Sequence, residues 1–147
     1  MATENEKFVY RWFDEVWNEG RVEAVDEMFA ADGIAHGLGE YGRDAIGPEA
    51  FKPFVRRLKA AFPDLRFTVD GTIEQGDQIA TRFSVTMTHT GDDLGFPATG
   101  RHAEVTGISV CRIKDGQIVE AWNNWDVYGL MQQLDSNPLQ AKLLGDV

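Results

Sequence analysis

Residues 112–126 read RIKDGQIVEAWNNWD, and the fold follows from how this stretch turns. Lys114-Asp115-Gly116-Gln117 has the composition of a tight hairpin turn, with Gly116 free to take the positive φ that strains residues carrying a Cβ. The arm before the turn, residues 105–113, is rich in β-branched side chains. The arm after it starts Ile118-Val119 and ends in two tryptophans and an aspartate. Residues two apart on a strand share a face. Trp122, Asn124 and Asp126 therefore point one way, and Ala121, Asn123 and Trp125 the other, barring a bulge. A carboxylate closing a Trp-rich strand points to a pocket with one ionisable group in it.

Working outward, the alternating pattern extends back to Leu65. Leu65, Phe67 and Val69 alternate with polar residues, Gly76-Asp77 makes a turn, and residues 78–90 form a long strand with Phe83, Val85, Met87 and His89 on one parity. Residues 91–100 read as a loop, and 101–113 and 117–126 as the hairpin arms. Before Pro63 the period is helical. A capping box at Thr3 and Glu6 opens helix one, with Phe8, Val9, Trp12, Phe13, Val16 and Trp17 on its stripe and Gly20 as its stop. Val22 to Phe29 suggests a short second helix ended by Ala31-Asp32-Gly33, and Ile34 to Tyr41 a loop or short strand. Gly47-Pro48-Glu49 starts a third helix, whose stripe runs from Phe51 to Phe62. Val127, Leu130, Met131 and Leu134 fit a short closing helix, broken by Asn137-Pro138. Helices followed by antiparallel strands predict an α+β fold: a curved, mainly antiparallel sheet forming a cone closed by N-terminal helices, with an apolar interior suited to a ligand.

The 147 residues fit one domain, 1–147, with a sizeable core, and a hydrophobic content of 43% excludes disorder. A formal net charge of −10 argues against nucleic acid and anionic membrane as partners, which need a basic face. Cys111 is the single cysteine, so no internal disulfide forms. The polar N-terminus has no signal-peptide pattern and no apolar run reaches membrane length, so a cytoplasmic location is expected. No histidine pair has metal spacing and no glycine-rich phosphate loop follows a strand; neither metal nor cofactor is expected.

The succession Phe62-Pro63-Asp64-Leu65, Thr88-His89-Thr90-Gly91, 95–101 (GFPATGR), 112–120 (RIKDGQIVE) and Trp122 to Asp126 resembles the SnoaL-like polyketide cyclase family. That family belongs to the nuclear-transport-factor-2-like (cystatin-like) superfamily, which implies the cone-shaped fold and a homodimer. The superfamily hosts cyclases, isomerases, dehydratases, epoxide hydrolases and binding modules, so function must be argued from the site. The resemblance implies an aspartate general acid/base at the end of the last strand, the position of Asp126, and a cavity histidine. The strand 103–113 contains none; His36 sits among glycines, His89 shares an apolar parity at the end of a long strand, and His102 reads as an exposed residue at a strand start.

Two readings of function follow. The first is an acid/base enzyme acting without a cofactor on a small apolar carbonyl or polyketide-like compound, of aldol cyclase, isomerase or dehydratase type. Asp126 would accept the proton, with His36, His89 or Tyr41 at the enolate oxygen, and Trp122, Trp12, Phe96 and Asn124 against the substrate. Burial in a Trp-lined pocket would raise the Asp126 pKa into a useful range. The second is a binding module that holds such a ligand without turnover; an epoxide hydrolase using Arg112 is a variant of the first. Each residue also has a plain role. Asp126 is a favoured N-cap for the closing helix. His36 and His89 can be satisfied loop or core histidines, Trp12 and Trp17 core residues, and Phe96 part of an ordinary connection. Arg112 and Glu120 pair across strands. Trp122 and Trp125 lie on opposite faces, so one should line the cavity while the other packs outside, against a second subunit.

Overall fold

The computed structural model describes residues 1–38 and 43–135. Tyr41 and Asn137-Pro138 lie outside the described residues. Thr3 caps helix α1 (Glu4–Trp12), its side chain accepting a hydrogen bond from Glu6 N. The helix continues as a π-helical segment, Phe13–Asn18, rather than as regular α-helix, and Gly20 leaves it at φ 67°. Such wider turns are rare and collect at functional sites. Here the segment sets Phe13 and Trp17 against the sheet, with Phe67 5.4 Å from each ring.

Helix α2 (Glu23–Met28) is followed without a gap by strand β1 (Phe29–His36). The sequence pattern predicts that Ala31-Asp32-Gly33 ends this helix, with a loop or short strand from Ile34. That triplet lies within β1, at the irregularity between the Phe29–Ile118 and Ile34–Glu120 pairs by which β1 joins β6, a strand almost ninety positions away. β1 runs parallel to β6 with His36 opposite Trp122. β2 (Ala45–Ile46) edges β1, and α3 (Pro48–Ala61) starts at Gly47, whose φ is 82°.

Strands β3 (Arg66–Gln75), β4 (Gln78–Thr88), β5 (His102–Lys114) and β6 (Gln117–Trp125) form an antiparallel run. The order across the sheet is β2-β1-β6-β5-β4-β3, six strands curled but not closed. The β5–β6 turn has φ 53° at Asp115 and φ 75° at Gly116, the paired positive values of a twisted two-residue hairpin. Helix α4 (Val127–Gln133) follows β6 directly.

The sheet's inner face and the N-terminal helices share one core. Ile79, Phe83, Val85 and Met87 of β4 are buried against Val16, Phe51, Val55 and Leu58. Residues of opposite parity on β4 and β5, such as Arg82, Thr106 and Ile108, face outward and are exposed. Burying each large apolar side chain contributes about 1.5–3 kcal/mol, so this layer contact dominates the stability.

Candidate functional site

Between the sheet and the helices lies a cavity with mostly aromatic walls. Trp12, Phe13 and Trp17 come from the first helix and its π segment, Phe51 and Phe54 from α3, and Phe67 and Phe83 from β3 and β4. The rings interlock: Trp12 and Phe51 have centroids 5.4 Å apart, and Trp17 meets Phe54 edge-on at 5.7 Å. Ring pairs of this geometry add about 0.5–1.5 kcal/mol each beyond burial. Leu38 closes one side.

The floor carries the polarity. Ser109, Cys111, Asn123, Asn124 and Trp125 line it together with Ala121. Ser109 of β5 stands directly opposite Asn123 of β6. The Asn123 Nδ2 donates to the His36 carbonyl at 3.2 Å, which fixes the amide at the sheet's β1–β6 seam. Burial pushes the Cys111 thiol up to about 12, so it stays protonated near neutral pH. The water-accessible heart of the cavity is about 40 Å³; counting all free space between the lining side chains and out to the mouth gives about 560 Å³. The smaller figure decides what fits while the walls stand as they are, a few water molecules at about 10–15 Å³ each.

The sequence candidates divide between places. Trp12 and Asn124 line the cavity, and Asn124 also borders a groove on the outer face. The parity expected for β6 holds, but the side carrying Trp122, Asn124 and Asp126 is the outer one. Ala121, Asn123 and Trp125 turn inward because that side meets the helices. Neither Trp122 nor Asp126 lines the cavity. Asp126 is exposed, and its Oδ1 accepts from Gly129 N at 2.8 Å as the N-cap of α4. It lies in the outer groove with Asp70, Arg82 and Ile108; Asn124 and Trp125 belong to both spaces.

His36 lies on the outer face, stacked on Trp122 at 5.5 Å. Its Nδ1 is 2.8 Å from Asp44 and its Nε2 2.7 Å from Glu120. Hydrogen bonding to Glu120, then to Asp44, raises its pKa above the ordinary value. Arg112 is on the same face, 3.6 Å from both Asp77 and Glu120, so the expected Arg112–Glu120 pair is present.

His89 is fully buried at the end of β4, away from the cavity lining. Its Nδ1 accepts from Thr99 N at 3.1 Å, which leaves the ring proton on Nε2, an atom without a partner among the described residues. Phe62 and Phe96 flank the ring at 5.5 and 5.2 Å. Burial lowers its pKa. Phe96 packs on His89 and the core rather than on the cavity. The imidazoles and Asp126 are thus not gathered in one place. Among the described residues no three His, Cys, Asp or Glu side chains converge as a metal site would need, and no helix is long and apolar enough to cross a membrane.

The sequence reading passed over Ser109 and Asn123. The available signal was their parity, because Ser109 alternates in step with Val105, Cys111 and Ile113. A polar side chain on a buried apolar parity marks either a satisfied core group or a site.

A curled sheet wrapped over N-terminal helices defines the class: a cone-shaped α+β protein of the nuclear-transport-factor-2-like type. Residues 7–134 match the SnoaL-like polyketide cyclase family, and the chain belongs to that family. It is 31% identical over 121 residues to aklanonic acid methyl ester cyclase DauD of Streptomyces sp. (strain C5), covering 82% of this chain and 75% of that one. It is 29% identical over 119 residues to nogalonic acid methyl ester cyclase of Streptomyces nogalater, covering 80% and 88%. Among solved structures, IdmH of Streptomyces antibioticus, a candidate polyketide cyclase, superposes with a TM-score of 0.79 at 29% identity, covering 90% of this chain and 99% of that one.

Proposed function

We propose that this protein takes a flat, carbonyl-bearing compound of the polyketide class into the aromatic cavity and promotes its ring closure there. The observation that carries this reading is the Ser109–Asn123 pair, opposed in register on a floor otherwise walled by rings. The names of the curated relatives, methyl ester cyclases of polyketide acids, support the substrate class. In an aldol closure an enol carbon attacks a carbonyl carbon: the new C–C bond forms, the enol oxygen becomes a carbonyl and gives up its proton, negative charge gathers on the attacked oxygen, and that oxygen takes up the proton released. The Ser109 hydroxyl and the second N–H of the Asn123 amide, the first being given to the His36 carbonyl, would stabilise that oxygen where little water competes. The walls fold the chain so that the reacting carbons meet. Ligands of this size need several hundred Å³, so the rings around the small open heart must part on binding.

The second reading is a module that binds without turnover. It is favoured by the floor's chemistry: among the described lining residues Cys111 is the one titratable side chain, and its thiol is no base near neutral pH. The test is incubation with aklanonic acid methyl ester, with product followed by chromatography. Under the cavity reading, Asn123→Ala lowers turnover about 100-fold or more, the scale of one oxyanion donor. Asp126→Asn changes it by no more than a few fold. A 100-fold loss in Asp126→Asn instead makes Asp126 the proton acceptor. Saturable binding with no product selects the binding module.

We also infer a homodimer through the outer face. Ile73, Ala80, Val110, Trp122 and His36 stand opposite one another in one row across β3, β4, β5, β6 and β1. Ile73 is 78% exposed, and Ile108, in the next row, 53%. The four apolar members, Ile73 to Trp122, make a stripe suited to an interaction surface, with the ion-paired His36 at its end. Light scattering at micromolar concentration should give twice the mass of one chain; a single-chain mass rejects the dimer.

A further inference from the structure

The row that holds Ser109 and Asn123 has two further polar members, Thr81 of β4 and Thr72 of β3. Thr81 of β4 stands directly opposite Ser109, so Thr81, Ser109 and Asn123 lie side by side on three adjacent strands. Neighbouring strands are about 4.8 Å apart, and opposed Cβ atoms about 4.5–5.5 Å. Thr81 is 1% exposed, and its Oγ1 has no hydrogen-bond partner among the described residues. A buried hydroxyl left unpaired is costly, and valine has the same shape without that cost. Ile79 and Phe83, which flank Thr81 on its face, are apolar and buried, as expected of this position.

We propose that Thr81 is a positioning residue that sets the direction of the Ser109 hydroxyl, so that the cavity selects a ligand oxygen that accepts a hydrogen bond. The proposal rests on the cavity reading above. A hydroxyl carries one proton and two lone pairs. In the structure the Thr81 hydroxyl is bonded to nothing among the described residues, Ser109 included; when Ser109 turns its proton to a ligand oxygen, its Oγ turns a lone pair toward Thr81 and receives that proton. Cross-strand Thr–Ser bonds of this kind are an ordinary feature of sheets. The opposite direction leaves the Thr81 proton without an acceptor, since Thr72, which stands opposite Thr81 on β3, makes no bond to it. The chain of donors therefore runs from Thr81 to Ser109 to the ligand. Each bond polarises the next, which strengthens the final one. The favoured group is a ketone or enolate oxygen; a ligand that can only donate at that point is rejected.

The test uses two probes of nearly equal shape, 2-acetylnaphthalene and 2-isopropenylnaphthalene, titrated against tryptophan fluorescence. Thr81→Val should weaken the ketone about 5- to 10-fold, the effect of one net hydrogen bond. The hydrocarbon should change by less than about twofold. The infrared carbonyl band of the bound ketone, lowered in frequency in the native protein, should move back toward its free value in Thr81→Val. Ser109→Ala should weaken the ketone at least as much, and Thr81→Val added to it should do nothing further, because the two act as one unit. The thermal midpoint of Thr81→Val should rise, since the unpaired hydroxyl is gone; this also verifies folding. An unchanged carbonyl band, equal loss for both probes, or additive losses in the double variant overturns the proposal while leaving the cavity as binding site. If neither probe binds the native protein, the cavity reading fails and this inference with it.

Discussion

Asp126 shows how one side chain can satisfy two sequence readings and be placed by a third consideration, the direction of its strand. Its carboxylate accepts from Gly129 N at the start of α4, the role a helix start requests of an aspartate. Asparagine caps nearly as well and alanine does not. Asp126→Ala should therefore lower stability by about 1 kcal/mol, while Asp126→Asn stays within a few tenths. For a chain of this length that is a fall of about 2–4 °C in melting temperature, read by differential scanning calorimetry. Equal destabilisation by both variants would point to a role of the charge rather than of the cap. Because Asn keeps the cap, its effect on turnover isolates the chemistry of the carboxylate from the folding of α4.

At the scale of elements, β5 has no side chain at Gly107, where β4 and β6 need room. A Cβ on Gly107 would sit 2.5 Å from Phe83 Cζ, 2.7 Å from Trp125 Cβ and 2.8 Å from the Asn124 carbonyl oxygen. Phe83 and Trp125 are both cavity walls, so the glycine couples sheet packing to the shape of the site. Gly107→Ala should cost about 1–3 kcal/mol by overpacking. It should also shift the near-ultraviolet circular dichroism of the tryptophans before any unfolding. A urea midpoint and an aromatic spectrum both like those of the native protein would show that the sheet yields at this point. The π segment after α1 makes a complementary contribution, since it carries Phe13 and Trp17 to the opposite wall.

For the whole molecule, two histidines of opposite environment set the dependence of stability on pH. The folded pKa of His36 is raised, chiefly by its bond to Glu120, above the ordinary 6.5. Its stabilisation is thus complete below about 6.5 and is lost as pH rises through the raised folded value. The folded pKa of His89 is lowered by burial. Its neutral ring is compatible with the fold above about 6.5, and protonation of the unfolded chain withdraws stability as pH falls below that. The urea midpoint should therefore peak near pH 6.5. His36→Gln should flatten the alkaline limb, and His89→Gln the limb just below the maximum. A profile that keeps both limbs in these variants assigns the dependence to other groups.

Local chemistry determined most of the fold from the sequence alone. The 115–116 turn, the Thr3 cap, the Pro48 helix start and the change of period at Pro63 each depend on residues a few positions apart, so each was legible. Strand parity was legible for the same reason: Ala121, Asn123 and Trp125 share a face whatever lies beyond it. Which face met the helices was not legible, because that depends on the parallel pairing of β1 with β6 and on the direction in which the sheet curls. Both are settled by contacts between residues far apart in sequence. The same contacts carry the chain through Ala31-Asp32-Gly33 as an irregular part of β1 rather than as a break after α2. They moved His36, Trp122 and Asp126 to the outer face and brought Thr81, Ser109 and Asn123 into one row. Periodicity tells a residue its side of a strand; only tertiary packing tells that side whether it faces solvent or the core.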